Sequence, residues 1–281
     1  MARIVYVNDV YVPEGKAKIS IFDRGFLFAD GVYEVTAVLD RKLVDFEGHI
    51  SRLKRSLTEL DMDMVKSRDE LLDIHRELVI RNNLCEGSIY LQVTRGIADR
   101  DFTYPKDVPQ SLILFTQERS LTSVKPGIRV ISVPDIRWGR RDIKTVQLLA
   151  PSMAKMMALK EGKDDSWMVE DGYVTEGTSN NAYIVTKESK IITRNLSNSI
   201  LHGITRASVL RLASELNMEI EERPFTIAET QEAAEAFITS ATTFVCPVVE
   251  IDGVAISKGQ PGPVVNRLNE MYIEESRKAA I

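Results

Sequence analysis

The sequence predicts an α+β protein in two halves. Short strand-like segments alternate with amphipathic helices along the whole chain, and no internal repeat or low-complexity tract interrupts them. Near the middle, "RSLTSVKPG" combines polar residues with Pro126 and Gly127 and reads as a linker. The chain has 281 residues, enough to bury a sizeable core and ordinarily to divide in two. The expected domains are a small N-terminal α/β domain over residues 1–118, a linker over 119–126, and a larger C-terminal α/β domain over 127–281, with the break near residue 122.

In the first half, "RIVYVNDVYV" places two short apolar runs on either side of Asn8-Asp9 and reads as a hairpin turning there. A second hairpin is expected in "GVYEVTAVLDRKLVDF", turning near Asp40-Arg41. Ile50, Leu53, Leu57 and Leu60 then recur at helical spacing, as do Leu71, Ile74 and Leu78. Two strands follow, "GSIYLQVTRG" and "SLILFTQE", separated by a polar stretch from Ile97 to Gln110 that is longer than a hairpin needs. Long loops in compact domains are often functional.

The second half opens with the strand "IRVISVP" and a helix around residues 151–161. "SWMVEDGYVTEG" reads as a hairpin with Asp171-Gly172 at its turn. A helix from about Ile204 should bury Val209, Leu212, Ala213 and Leu216. The strand-like run "AFITSATTFVCPVVEI" and a helix around Val265, Leu268 and Tyr272 complete the pattern.

Composition removes several function classes. The formal net charge is -5 with acidic and basic residues interspersed, so the basic footprint of a nucleic-acid binder is missing. No apolar run approaches the roughly 18 to 20 residues a membrane span requires, and "MARIVYVNDVYV" lacks a signal peptide's apolar core, so the expected compartment is the cytoplasm. Cys85 and Cys246 show no paired spacing and are expected to be buried small apolar residues. His49, His75 and His202 form no metal-ligand pattern, so no bound metal is expected.

What chemistry remains is suggested by "RWGRRDIKTVQLLA", residues 137–150. Lys144 follows three arginines and precedes an apolar run, and an ammonium entering apolar surroundings near other cations becomes a usable amine nucleophile. Glu176 leaves a strand into small polar residues in "YVTEGTSNNAYIV". "LHGITR" starts a helix whose free N–H groups could hold an anion, although taken alone it reads first as a loop end at His202-Gly203 with Thr205 as a plain helix cap. "TSATT", residues 239–243, could present hydroxyls to the same anion or simply end a strand. An amine, an isolated carboxylate and a phosphate cradle are together what pyridoxal phosphate chemistry requires.

Six motifs then occur in a recognisable order: "FDRGFLFADGVYEV", "GHISRL", "YLQVTRG", "DIRWGRRDIK", "VTEGTSNN" and "HGITR". In this the chain resembles, from end to end, the fold-type IV pyridoxal phosphate enzymes, and within them most closely the D-amino-acid (D-alanine) aminotransferases. The resemblance implies two α/β domains with the active site between them, and usually a homodimer whose site borrows a loop from the neighbouring subunit. It implies pyridoxal 5'-phosphate as cofactor and amino acids and 2-oxo acids as substrates. Lys144 matches the Schiff-base lysine that also moves the proton between substrate and cofactor, and Glu176 the partner of the pyridine nitrogen. Arg52 matches the phosphate-binding arginine, and Leu201 the residue packed against the ring. Ile204 and Thr205 match one side of the phosphate cradle, and Ala241 and Thr242 the other. Tyr33 matches a tyrosine facing the substrate.

One position departs from the family. The loop after "VTRG" carries an Arg-x-His pair for the substrate carboxylate in the D-amino-acid enzymes, whereas this chain reads "RGIADRDFTYP". Arg100 is retained and Phe102 stands in place of the histidine, so an apolar ring replaces a hydrogen-bond donor. The same scaffold also supports branched-chain L-amino-acid and (R)-amine aminotransferases and aminodeoxychorismate lyase. "RRDIKT" and "GVYEV" favour transfer of the amino group from a D-amino acid to a 2-oxo acid such as 2-oxoglutarate or pyruvate.

Overall fold

The computed structural model describes residues 2–123 and 126–281. They group into two compact units: Met1–Leu121 with Ile143–Gln147 and Ser276–Ile281, and Thr122–Asp142 with Leu148–Glu275. The expected linker at 119–126 includes Val124 and Lys125, which lie outside the described residues.

The first unit is a six-stranded antiparallel sheet with helices on one face. Its elements are β1 (Ile4–Val7), β2 (Val10–Pro13), α1 (Arg24–Phe28), β3 (Gly31–Leu39), β4 (Lys42–Leu43), α2 (Phe46–Thr58), α3 (Arg68–Arg81), β5 (Gly87–Thr94) and β6 (Ser111–Glu118), and the strands lie in the order β2-β1-β6-β5-β3-β4. The two expected hairpins form because their turn pairs accept a left-handed backbone: φ is 43° and 70° at Asn8-Asp9, and 51° and 66° at Asp40-Arg41. Two consecutive positive φ values match the right-handed twist of the flanking strands. Leu53 and Leu57 of α2 and Leu71 and Leu78 of α3 pack with Val32, Ile89, Leu91, Val93 and Leu114 of the sheet. The N-terminus of α3 is fixed by a reciprocal cap, in which Ser67 accepts from the Glu70 amide and Glu70 accepts from the Ser67 amide.

The second unit is built on a nine-stranded mixed sheet. In chain order it contains β7 (Ile128–Pro134), α4 (Leu149–Lys160), β8 (Asp165–Glu170), β9 (Tyr173–Gly177), β10 (Asn181–Val185), β11 (Ile191–Thr193), α5 (Ile204–Glu215), β12 (Ile220–Glu222), α6 (Ile227–Glu232), β13 (Glu235–Ser240), β14 (Phe244–Ile251), β15 (Val254–Ala255) and the part of α7 (Pro263–Ala279) that precedes Ser276. Strand order is β12-β11-β10-β13-β14-β7-β8-β9, with β15 on β14. One core gathers Trp167, Phe225, Ile238, Cys246 and Val248, and a second places Ala154 and Ala158 of α4 against Ile131, Val133 and Met168.

Four expectations need correction. Helix α2 ends at Thr58, so Leu60 lies in the following turn although it keeps the spacing. Helix α5 ends at Glu215, and Leu216 is exposed rather than part of the buried stripe. Cys246 is buried, but Cys85 is exposed in the turn that precedes β5. The run "AFITSATTFVCPVVEI" is two strands, β13 and β14, hinged on residues 241–243.

Candidate active site

Lys144 belongs to a five-residue segment, Ile143–Gln147, that is laid along the start of β3. The Tyr33 amide donates to the Lys144 carbonyl at 3.0 Å, the Val146 amide donates to the Gly31 carbonyl at 3.1 Å, and Thr145 bridges to Val32. From the α2 side, the Ser56 hydroxyl accepts from the Lys144 amide at 3.4 Å. With its backbone held on both sides, Lys144 places Nζ 4.2 Å from the centre of the Tyr33 ring. Tyr33 is itself stacked on Tyr90, and Tyr90 on Phe115, at 5.4 and 4.8 Å between ring centres. The amine therefore rests on an aromatic ladder that crosses three strands of the sheet.

Glu34, the next residue of β3, points to the opposite face. There it accepts from Arg52 Nε and Nη2, both at 2.8 Å, and pairs with His49 Nδ1 at 2.8 Å. All three side chains are buried. Burial alone would raise the Glu34 carboxyl, but the Arg52 guanidinium and His49 hold it down at about 2. The Arg52 guanidinium is thus fixed in plane and direction by a bidentate contact.

The arginines that precede Lys144 in sequence are matched to carboxylates in the second unit. Arg140 pairs with Asp142, and Arg141 pairs with Glu170 and Asp135. Arg137 grips Asp135 and also donates Nη1 to Glu176 Oε1 at 2.5 Å. Each of the three is held in a structural ion pair.

Glu176 is buried near the end of β9 and held from three directions. Besides Arg137, it accepts from Asn181 Nδ2 at 2.9 Å and from the Leu201 amide at 3.1 Å. Burial raises its carboxyl above the ordinary range, while Arg137 and the Leu201 amide pull the other way. Asn181 Nδ2 also donates to the Leu201 carbonyl at 2.9 Å. That contact explains Gly203: a Cβ there would meet Asn181 Oδ1 at 2.1 Å. Leu201, expected as a ring-packing residue, contributes its backbone to this clamp.

Helix α5 starts immediately afterwards at Ile204. Its N-cap is Gly203 with no side-chain cap, and its first turn carries no acidic residue. Thr205 is inside the helix and buried, so it is not the cap. Asn181 pairs with Thr239 across β10 and β13, which puts the turn containing Ala241 and Thr242 at the same end of the sheet as Asn181 and its neighbour Gly203. In that turn the Ser240 hydroxyl lies 2.7 Å from that of Thr243 and accepts from the amides of Thr242 and Thr243 at 3.4 and 3.1 Å. A helix start without its own cap beside a hydroxyl-rich turn has the chemistry of a phosphate site. A buried carboxylate backed by neutral and cationic donors suits a protonated pyridine nitrogen, so the residues present fit pyridoxal phosphate.

Arg100 and Phe102 lie in the loop between β5 and β6, in the first unit, and both are exposed. Arg100 Cζ is 5.5 Å from the Phe28 ring centre and 5.6 Å from that of Phe102, and the two rings meet edge to face at 5.6 Å. Sequence reading misses the holders of the site: Glu34 and His49 for Arg52, Arg137 and Asn181 for Glu176. Asn181 is within its reach, since it stands in the same "VTEGTSNN" motif as Glu176. Arg137 likewise stands in the motif "DIRWGRRDIK", but nothing in that motif announces a pairing with Glu176.

Within the second unit, the buried carboxylate of Glu176 and the uncapped start of α5 have the chemistry that a phosphate-bearing cofactor requires. Comparison with known proteins makes that chemistry specific. Residues 31–251 match the family model "Amino-transferase class IV", and the chain belongs to that family. It is 36% identical over 276 residues to a D-alanine aminotransferase of Staphylococcus aureus (strain N315), covering 96% of this chain and 98% of that protein. A D-alanine aminotransferase of Listeria monocytogenes serotype 1/2a (strain 10403S) is 34% identical over 280 residues, covering 98% and 96%. Among solved structures, a T.th. branched-chain amino acid aminotransferase complexed with N-(5'-phosphopyridoxyl)-L-glutamate superposes with a TM-score of 0.89 at 26% identity, covering 99% of this chain and 95% of that one.

Proposed function

We propose that the protein is a pyridoxal phosphate-dependent aminotransferase that moves the amino group of a D-amino acid to a 2-oxo acid such as pyruvate or 2-oxoglutarate. The structural observation that carries the reading is the buried Glu176, clamped by Arg137, Asn181 and the Leu201 amide at one end of the sheet, beside the uncapped start of α5. The D-amino-acid assignment is supported by relatives named for that activity that match over nearly their whole length.

When bound, the cofactor supplies an electron sink for the charge left on the substrate Cα after its proton departs. Lys144 would hold the cofactor through its side-chain amine and, once freed, would carry the proton to and from the substrate Cα. Tyr33 supports that amine from below its chain. Glu176 would keep a proton on the pyridine nitrogen. The amides of Ile204 and Thr205 and the turn at Ala241 and Thr242 would hold the phosphate, Arg52 would add a cation for it, and Leu201 would pack on the ring. Arg100 binds the substrate carboxylate, and Phe102 replaces the second donor of the family pattern.

The active form is a homodimer. Helix α4 turns Leu149, Met153, Met156 and Met157 to the surface, an apolar row that a second copy can cover. We place the protein in the cytoplasm, where its two thiols, Cys85 and Cys246, remain reduced. Among the described residues no helix is long and apolar enough to cross a membrane.

A transamination panel tests the substrate: D- and L-alanine, D-glutamate, L-leucine and a chiral amine, each with pyruvate or 2-oxoglutarate. Turnover of the D-amino acids above all others is expected. The likeness to a branched-chain enzyme supports a second reading, which preference for L-leucine would establish in place of the first.

A further inference from the structure

Two arginines in the first unit share one carboxylate. Asp30 Oδ2 accepts from Arg24 Nε at 2.7 Å and from Arg95 Nε at 2.8 Å, and all three side chains are buried or nearly so. One negative charge cannot satisfy two guanidinium groups, and the remaining donors turn to backbone oxygens. Arg95 takes the carbonyls of Leu60 and Asp61, at the turn that ends α2. Arg24 Nη1 takes the carbonyls of Asp101 and Thr103 at 2.6 and 3.3 Å. Those two carbonyls flank Phe102, so Arg24 fixes the chain on both sides of that residue.

Further contacts converge on the same loop. The Ala98 amide donates to the Phe22 carbonyl at 3.1 Å and the Arg24 amide to that of Gly96 at 2.9 Å, while the Thr103 amide donates to Asp101 Oδ1 at 2.9 Å. The centre of the Tyr104 ring lies 3.5 Å from Arg95 Cζ and 5.8 Å from Arg24 Cζ. Phe28, one helical turn after Arg24, carries Arg24 at 4.5 Å and meets both Phe102 and Arg100.

We infer that Arg24, seated on Asp30 beside Arg95 and stacked on Phe28, is a positioning residue that braces the 97–104 loop, whose far end Tyr104 pins by covering Arg95, and thereby sets where Arg100 presents its guanidinium. In this arrangement Phe102 serves as a ring support for Arg100, and the loop is built around that contact instead of around a second hydrogen-bond donor. The inference rests on the reading of Arg100 as the substrate-carboxylate residue.

Arg24→Gln and Tyr104→Leu test the brace in the cofactor-loaded protein. Arg24 is buried and its variant can fail to fold; Tyr104 is half exposed, so its variant keeps the test available. Amide hydrogen exchange at residues 97–104 should quicken at least about tenfold in either variant, with β3 and β5 unchanged. KM for D-alanine should rise about tenfold with kcat within about twofold, and turnover of an amine lacking a carboxylate should stay constant. Arg24→Lys, which keeps one donor and the charge, should recover part of the loss. Unchanged exchange in the loop overturns the brace. Faster exchange with an unchanged D-alanine KM, in a protein whose Arg100→Ala variant does raise that KM, overturns the link between brace and substrate. If Arg100→Ala itself leaves D-alanine kinetics untouched, the carboxylate assignment fails, while faster loop exchange still supports the brace.

Discussion

Exchanging one carboxylate oxygen of Glu176 for an amide nitrogen separates holding the cofactor from activating it. Glu176→Gln keeps a group of the same size beneath the Leu201 amide and beside Asn181, but it removes the charge that keeps the pyridine nitrogen protonated. Bound cofactor should persist in an absorbance spectrum while kcat for D-alanine falls at least about hundredfold, or about 2.7 kcal/mol in barrier. Turnover near that of the wild type removes Glu176 from the mechanism. For Lys144 the measurement is chemical: borohydride reduction should join the cofactor to the peptide containing Lys144, read by mass spectrometry, and label on any other lysine transfers the role. Gly203→Ala perturbs the same clamp indirectly. The added methyl must displace Asn181, whose Oδ1 would be only 2.1 Å away, so Glu176 loses a donor. We expect roughly a tenfold loss of kcat together with weaker cofactor retention. A variant with normal kinetics shows that Asn181 is dispensable.

Helix α3 carries two predictions of its own. Leu78 is fully buried between the helix and the sheet, and Leu78→Ala should cost about 2–5 kcal/mol in denaturant unfolding. His75 is buried one turn earlier, with Nδ1 donating to the Leu71 carbonyl at 2.6 Å, and burial lowers it from 6.5 to about 4. The folded chain thus refuses a proton that the unfolded chain accepts. Stability from this residue is complete above about pH 6.5 and declines as pH falls toward 4. His75→Gln should flatten that part of the curve, and an identical slope in both proteins excludes His75 as its source. These elements also show what sequence can disclose. Hairpins at Asn8-Asp9, Asp40-Arg41 and Asp171-Gly172 are legible because turn chemistry is local: each pair has residues that tolerate positive φ. Helix ends are not, since Leu60 and Leu216 continue an apolar spacing past the point where the backbone leaves the helix. The exposure of Cys85 escapes sequence reading for a related reason, because burial is decided by what packs over a residue and not by its type. Ordered motifs nominate candidate site positions, but they do not show which side chains hold them in place. Arg137 meets Glu176 across 39 residues of sequence, and no local pattern announces such a pairing.

For the molecule as a whole, loading with cofactor should raise the unfolding temperature, since a ligand that binds only the folded chain adds about 2.7 kcal/mol at a concentration roughly one hundred times its Kd. Glu176→Gln should retain much of that gain and Lys144→Ala should lose more of it, as measured by thermal scans with and without pyridoxal phosphate. Equal scans with and without the cofactor count against binding altogether. The grouping of residues has a further bearing on how the chain is made. The first unit is not finished when Leu121 has been synthesised, for it also needs Ile143–Gln147 and Ser276–Ile281. Leu43 of β4 exchanges two backbone hydrogen bonds with Ile281, at 2.8 and 3.1 Å. A ribosome moving along this message therefore delivers the sheet early, the segment bearing Lys144 after the second unit has begun, and the residues that seal the sheet's edge only after Glu275. A gene fragment stopping at Leu121 encodes a sheet whose β4 lacks its partner at Ile281 and a unit that lacks Lys144, so a cut at that point does not yield the first unit whole.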